Sequence, residues 1–72
     1  MHFTELINIV KARRESLQVT QDTLAELSGV GLRTVKQFES GKGNLTLVNL
    51  QKLADALGLE VTLKVKSRSD NQ

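Results

Sequence analysis

The chain has 72 residues, a formal net charge of +2, a single histidine and no cysteine. This length allows one small domain near the lower limit for a self-sufficient core. The composition excludes disulfides and thiolate metal sites, and one imidazole cannot form a zinc site, so no cofactor is expected. Charges interrupt the N-terminal segment, and no apolar run approaches the roughly 20 residues of a transmembrane helix. We therefore expect a soluble, cytoplasmic protein with no membrane partner.

The first part of the chain predicts two helices. Thr4 is a candidate N-cap for the first helix, whose apolar face continues at helical spacing to Leu17. Thr20 caps the second helix, and Asp22 suits the positive end of its dipole. Gly29 ends it, because glycine adopts a positive φ without strain. The side chains predicted to face inward are Leu6, Ile9, Val10, the stems of Arg13 and Arg14, Leu17, Leu24, Ala25 and Leu27.

The next part predicts two further helices with a loop between them. Residues 32–39 form the third helix, about two turns long, and Val30 precedes it as an apolar plug. Residues 40–44 contain two glycines and interrupt the helical pattern. Thr46 caps the fourth helix, which Gly58 closes. The side chains predicted to face inward are Val35, Phe38, Leu47, Leu50, Leu53, Ala54 and Leu57.

Residues 59–66 alternate apolar and polar side chains, which predicts a half-buried β-strand. A strand needs a hydrogen-bonding neighbour, and an exposed apolar edge invites aggregation, so we expect the strand to pair with a second copy across a two-fold axis. The alternatives are a strand that lies on its own helices and one that another protein completes. We assign residues 1–66 to one domain and residues 67–72 to a disordered tail. The strand residues on the apolar face of the dimer are Leu59, Val61, Leu63 and Val65.

A specific motif runs from residue 21 to residue 42: Gln-x-x-Leu-Ala-x-x-x-Gly-Val, then Val-x-x-Phe-Glu, then Ser-Gly-Lys. Ala25 is small enough for two helices to cross closely, and Gly29 makes the turn at a crossing of about 90–120°. The motif resembles the helix-turn-helix of the phage-repressor-like, or XRE, family. This resemblance implies a mainly α, lambda-repressor-like domain, shortened from five helices to four, with the C-terminal strand pairing across a homodimer.

The segment Ala-Leu-Gly-Leu-Glu-Val-Thr-Leu at residues 56–63 resembles HipB-type antitoxins more specifically. That resemblance implies a dimer that represses its own operon and binds a HipA-type kinase toxin. One alternative is a stand-alone XRE-family repressor. The other is a protein-interaction module that has lost DNA binding, and Leu32 and the modest net charge favour this second alternative. No catalytic triad or carboxylate pair has the spacing that catalysis needs, so we do not expect an enzyme.

The XRE resemblance also assigns base contacts to the third helix, which lies in the major groove in this family. Arg33 can donate two hydrogen bonds to guanine, Gln37 can pair with adenine, and Lys36 can reach guanine or a phosphate. Leu32 replaces a residue that is often polar, and it can pack only on a thymine methyl. The predicted partner is double-stranded DNA, a palindromic operator with half-sites about one turn apart. The predicted base contacts are Leu32, Arg33, Lys36 and Gln37.

Phosphate contacts are predicted around the motif. Gln21 begins the second helix, where its side chain and the free N–H groups can meet one phosphate oxygen. Gly43 allows the backbone to approach DNA closely. The family resemblance further implies an internal ion pair between Arg14 and Glu39, which shields the carboxylate from DNA. The predicted phosphate contacts are Thr20, Gln21, Thr34, Lys42, Gly43 and Asn44.

Overall fold

The computed structural model describes residues 3–66, so the predicted tail at 67–72 lies outside the described residues. The helix at Gln21–Ser28 packs against the helices at Leu32–Glu39 and Leu47–Ala56, whereas the helix at Phe3–Ser16 packs against the one at Leu32–Glu39. None of the helices within 3–66 has the length and apolar character to cross a bilayer. The prediction of a mainly helical, four-helix domain with a helix-turn-helix is confirmed. The helices are α1 (Phe3–Ser16), α2 (Gln21–Ser28), α3 (Leu32–Glu39) and α4 (Leu47–Ala56).

Local capping signals set the ends of α2 and α4 as predicted. The hydroxyl of Thr20 accepts a hydrogen bond from the amide of Thr23 at 3.1 Å, and the hydroxyl of Thr46 accepts from the amide of Asn49 at 3.0 Å. Each cap satisfies one of the amides that the first helical turn leaves unpaired. Gly29 ends α2 in the left-handed region at φ +76°, and this turn leads the chain into α3.

The prediction for the start of α1 was wrong. Phe3 already belongs to the helix, so Thr4 lies in the first turn and is not the N-cap. At the other end, the amide of Val19 donates to the carbonyl of Arg14 at 3.1 Å, which closes the helix with a Schellman turn. Gln18 occupies the left-handed position of this turn at φ +58°, a conformation that is strained for a residue with a Cβ.

One core joins the four helices, and residues from both helices of the motif contribute to it. Each of the larger buried side chains stabilises the fold by about 1.5–3 kcal/mol. Four residues predicted to face inward, namely Ile9, Leu17, Leu27 and Leu47, remain 44% to 72% exposed. Ile9 and Leu27 lie at the margins of their apolar stripes, whereas Leu17 follows the last residue of α1 and Leu47 is the first residue of α4. The buried apolar residues are Val10, Leu24, Val30, Val35, Phe38, Leu53, Ala54 and Leu57.

Residues 59–66, called the arm below, have no regular secondary structure, so the predicted strand is not found in the single chain. Leu59 and Val61 are half-buried, whereas Leu63 and Val65 are 93% and 98% exposed. The reason is physical, since a strand forms only against a neighbour that supplies ladder hydrogen bonds. Residues 3–58 offer helices and turns and no such neighbour.

Candidate nucleic-acid interface

Two opposite faces of α3 have different roles. Val35, Phe38 and Glu39 are buried at helical spacing and fix the helix to the domain. Arg33, Lys36 and Gln37 repeat the same spacing on the other side and are exposed. Because residues three and four apart share a helix face, the last three side chains form one outward row. Two of them carry positive charges, and all three can donate hydrogen bonds.

Leu32 and Thr34, the other predicted DNA contacts on α3, are half-buried. Leu32 opens the helix directly after Gly31, which occupies the N-cap without a side-chain hydrogen bond. The burial of Leu32 gives its apolar character a packing role as well. Only part of its side chain is therefore accessible at the start of the outward row.

The end of α3 brings the following loop back against the helix. The amide of Gly41 donates to the carbonyl of Phe38 at 3.1 Å, and the amide of Lys42 donates to the carbonyl of Gln37 at 2.9 Å. This Schellman turn requires a left-handed residue, and Gly41 supplies it at φ +82°. Gly43 follows so closely that a Cβ there would lie 3.6 Å from Oε1 of Gln37.

One small hollow of about 20 Å³ lies between the loop and the side of α3 that carries Thr34 and Gln37. The outward row is called the reading face below, after its predicted role. Gln37, a predicted base contact, therefore lies beside most of the predicted phosphate contacts. Lys42, Gly43 and Asn44 are exposed around it. The residues that line the hollow are Thr34, Gln37, Phe38, Lys42, Gly43, Asn44 and Leu45.

A buried ion pair joins α1 to the C-terminal end of α3 and holds α3 in place. Nε of Arg14 donates to Oε2 of Glu39 at 2.7 Å, and Nη2 of Arg14 donates to Oε1 at 2.9 Å. Nη1 of Arg14 donates to the carbonyl of Val19 at 2.8 Å. Arg14 and Glu39 are only 9% and 8% exposed. The two parallel hydrogen bonds fix the orientation of both side chains, and the opposite charges of the two groups compensate each other.

Gln21 joins the same network. Its Nε2 donates to Oε1 of Glu39 at 3.0 Å, so a residue predicted to contact phosphate is also a structural partner of the ion pair. Sequence reasoning missed this, because the two residues lie 18 positions apart and nothing in their spacing signals a contact. An amide nitrogen carries two hydrogens, so one donor of Gln21 is engaged inside the domain and the second can serve another acceptor.

The electrostatics of the network keep Glu39 ionised. Burial raises the pKa of its carboxyl, but the hydrogen bonds from Arg14 and Gln21 and the charges of Arg14 and Lys11 outweigh burial and lower it below its ordinary value. The hydrogen bond to Glu39 likewise raises the pKa of the Arg14 guanidinium against the opposing effect of burial. The paired charges cancel, so the negative charge of Glu39 does not offset the positive charges of the outward row.

Thr20 lies apart from the reading face, at the start of α2. Besides capping the helix, its hydroxyl donates to the hydroxyl of Thr23 at 3.0 Å. Both hydroxyls are exposed. Residues 3–66 contain no cluster of His, Asp or Glu that could hold a metal ion.

The helix-turn-helix geometry agrees with a comparison against known families. The family profile described as Helix-turn-helix matches residues 10–64, which include α2, α3, α4 and most of the arm. The chain belongs to the helix-turn-helix family. The turn at Gly29, the buried wedge of Val30 and Val35 and the exposed row on α3 all lie inside the matched region.

Two characterised relatives agree with this membership. The chain is 39% identical over 49 residues to the cryptic phage CTXphi transcriptional repressor RstR of Vibrio cholerae, a match that covers 68% of this chain and 44% of the repressor. It is 35% identical over 60 residues to Antitoxin HipB of Escherichia coli K12, a match that covers 83% of this chain and 68% of the antitoxin. The predicted resemblance to XRE and HipB-type proteins is confirmed.

Proposed function

We propose that this chain is a sequence-specific, DNA-binding transcription regulator that acts in the cytoplasm as a homodimer on a palindromic operator. The observation that carries the proposal is the exposed row of Arg33, Lys36 and Gln37 on α3. The opposite face of α3 is buried and holds the helix in one orientation. Major-groove readout requires such a fixed row of donors on a helix.

Each residue of the row has a role that its chemistry supports. Arg33 donates two hydrogen bonds to O6 and N7 of guanine, and Gln37 pairs with N6 and N7 of adenine. Lys36 reaches a guanine or a neighbouring phosphate. Leu32 is half-buried, so the accessible part of its side chain packs against a thymine methyl. Arg33 is the residue on which base preference depends most.

The loop after α3 supplies phosphate contacts beside the reading row. Lys42 carries the charge, and the backbone at Gly43 comes close to DNA because no side chain intervenes. Gln21 keeps one donor on Glu39 and offers the second to a phosphate oxygen, which couples the buried network to the DNA backbone. The proposed set of phosphate contacts is Thr20, Gln21, Thr34, Lys42, Gly43 and Asn44.

Self-association through the arm completes the proposed regulator. Leu63 and Val65 are almost fully exposed in the single chain, and such a segment requires a partner to avoid aggregation. A second copy supplies it when the two arms pair as antiparallel strands, with Leu59 and Val61 also on the covered face.

The finer proposal is that the dimer is the antitoxin and autorepressor of an operon that encodes a HipA-type kinase toxin. The similarity to Antitoxin HipB supports it. The second candidate is a stand-alone repressor, which the similarity to the phage repressor RstR favours. Co-expression with the protein encoded next to this gene separates the two. A stable complex with a kinase supports the antitoxin, and a neighbour that is no kinase or does not bind leaves the stand-alone repressor.

DNA binding is tested by fluorescence anisotropy with the duplex upstream of the chain's own gene and with an unrelated duplex. A dimer that neutralises about 6–10 phosphates should lose affinity by roughly 10³–10⁵ between about 50 and 200 mM salt. Arg33→Ala should cost about 1–3 kcal/mol on the specific duplex and relax the preference at one position in each half-site. Lys42→Ala is the matched control, because loss of a phosphate contact weakens binding to all sequences about equally.

Three results contradict parts of this proposal. If Arg33→Ala weakens both duplexes by the same factor, Arg33 contacts phosphate and does not read a base. If neither duplex binds and selection from random duplexes also yields none, the chain is a protein-interaction module. If the specific duplex binds with one subunit per site at every concentration, the dimeric operator is wrong.

A further inference from the structure

Arg13, which the proposed function leaves without a role, contacts the C-terminal end of α4. Its Nε donates to the carbonyl of Leu57 at 2.9 Å. Leu57 is the C-cap residue of α4, and the last carbonyls of a helix need partners from outside it. The guanidinium also lies along the next residue, since a Cβ at Gly58 would be 3.4 Å from Nη2 of Arg13.

The contact lies at the root of the arm. Gly58 turns the chain at φ +70°, and its amide donates to the carbonyl of Asp55 at 3.3 Å. The amide of Leu59 donates to the carbonyl of Ala54 at 2.8 Å, which completes a Schellman turn. The arm begins at Leu59, so the direction in which it leaves α4 depends on this turn and on the side chain that holds the carbonyl of Leu57.

Arg13 is adjacent to Arg14, and the two side chains leave α1 about 100° apart. Arg14 ties α1 to α3 through Glu39, whereas Arg13 ties α1 to the end of α4. A single helix thus connects the reading face with the root of the arm. In a dimer joined by the arms, this connection sets the separation of the two α3 helices, which must match half-sites about 34–36 Å apart.

We infer that Arg13 is a positioning residue for the arm, and that its hydrogen bond to Leu57 governs both dimer formation and the choice of half-site spacing. This inference rests on the proposed dimeric regulator. The inference gives Arg13 no contact with DNA. Loss of its hydrogen bond should therefore weaken binding of the dimer to two half-sites and leave binding of one subunit to a single half-site unchanged.

Arg13→Met and Arg13→Gln form a matched pair for the test. Both variants lose the positive charge, but Nε2 of glutamine stands at the same number of bonds from Cα as Nε of arginine, and methionine has a methyl group there. The bond to Leu57 is intramolecular, so its loss acts by leaving the arm to be ordered when the dimer forms, and Arg13→Met should weaken self-association on the order of tenfold in sedimentation across a dilution series. Arg13→Gln should stay within about twofold of the wild type. On duplexes selected from a random library, Arg13→Met should weaken binding to two half-sites and leave binding to one half-site unchanged.

Two exposed residues of the arm separate failure of this inference from failure of the dimer. Leu63→Lys should disrupt the proposed dimer, whereas Thr62→Lys adds the same charge to the other side of the arm. If Leu63→Lys and Thr62→Lys associate equally well, the dimer joined by the arms is wrong. If Leu63→Lys weakens association but Arg13→Met and Arg13→Gln behave alike, the role of Arg13 is overturned. The same conclusion follows if far-UV circular dichroism finds Arg13→Met unfolded, because Arg13 then supports the fold and not the arm.

Discussion

Replacement of Glu39 by glutamine measures how much the buried ion pair stabilises the domain. The side chains of Glu39 and Arg14 are 3% and 11% exposed, so the variant leaves a buried guanidinium without its buried counter-charge. Breaking a buried pair in this way costs about 3–5 kcal/mol. A domain of 72 residues has a total stability of about 4–11 kcal/mol. Glu39→Gln should therefore remove roughly a quarter or more of the stability.

Glu15→Gln is the matched control for this variant. Glu15 also lies near Arg14, at 3.9 Å from its Nη2, but its side chain is 60% exposed. An exposed pair contributes about 0–1 kcal/mol, so the same chemical change should have a small effect there. A double variant, Arg14→Met with Glu39→Leu, removes both charges and should recover most of the loss, because it leaves no buried charge unpaired.

Urea unfolding followed by far-UV circular dichroism is the appropriate assay, since the chain has no tryptophan or tyrosine for fluorescence. All variants should be compared at one protein concentration, because self-association adds to apparent stability. If Glu39→Gln costs no more than Glu15→Gln, the pair does not stabilise the fold despite its burial. If the double variant is as unstable as Glu39→Gln, the loss comes from packing and not from an unpaired charge.

Three further predictions concern pH, strain and capping. The pKa of Glu39 is lowered in the folded chain, so its contribution is present above the unfolded pKa of about 4.3 and is lost as pH falls through the folded value. The urea midpoint should therefore fall more between about pH 6 and pH 3 for the wild type than for Glu39→Gln. Gln18→Gly should raise the free energy of unfolding by about 0.5–1 kcal/mol, because glycine relieves the left-handed strain, whereas Gln18→Ala should give no gain. Thr20→Ala and Thr46→Ala should each cost about 1 kcal/mol in urea unfolding through loss of a cap, but only Thr20→Ala should also weaken DNA binding in anisotropy.

Features that depend on a few neighbouring residues could be predicted from the sequence. The caps at Thr20 and Thr46 and the turn at Gly29 rely on hydrogen bonds and dihedral angles within one helical turn, so the residue type is enough to indicate them. The cap at Thr4 failed because α1 extends further towards the N-terminus than its apolar pattern indicates. Helical periodicity predicts which side of a helix is buried but not how wide the buried stripe is. It therefore wrongly predicts that Ile9 and Leu27 face inward.

Features that depend on distant partners could not be predicted in this way. The contact of Gln21 with Glu39 joins residues 18 positions apart, and that of Arg13 with Leu57 joins residues 44 positions apart. Neither contact leaves a periodic signal. Residues 59–66 do alternate apolar and polar side chains. This alternation specifies only which side chains would share a face of a strand, and not whether the strand forms. The ladder hydrogen bonds that would make a strand must come from another segment.

The two contacts of α1 explain why a helix without a predicted base contact matters for readout. Specific binding requires that α3 keep one orientation within a subunit and that two copies of α3 keep one separation within a dimer. The bidentate pair of Arg14 with Glu39 serves the first requirement, since it fixes the end of α3 from which the loop with the proposed phosphate contacts departs. In the proposed dimer, the bond from Arg13 to Leu57 would serve the second, since it holds the root of the arm. Both residues belong to one turn of α1, so the proposed link between the arm and α3 passes through a helix and not through a loop.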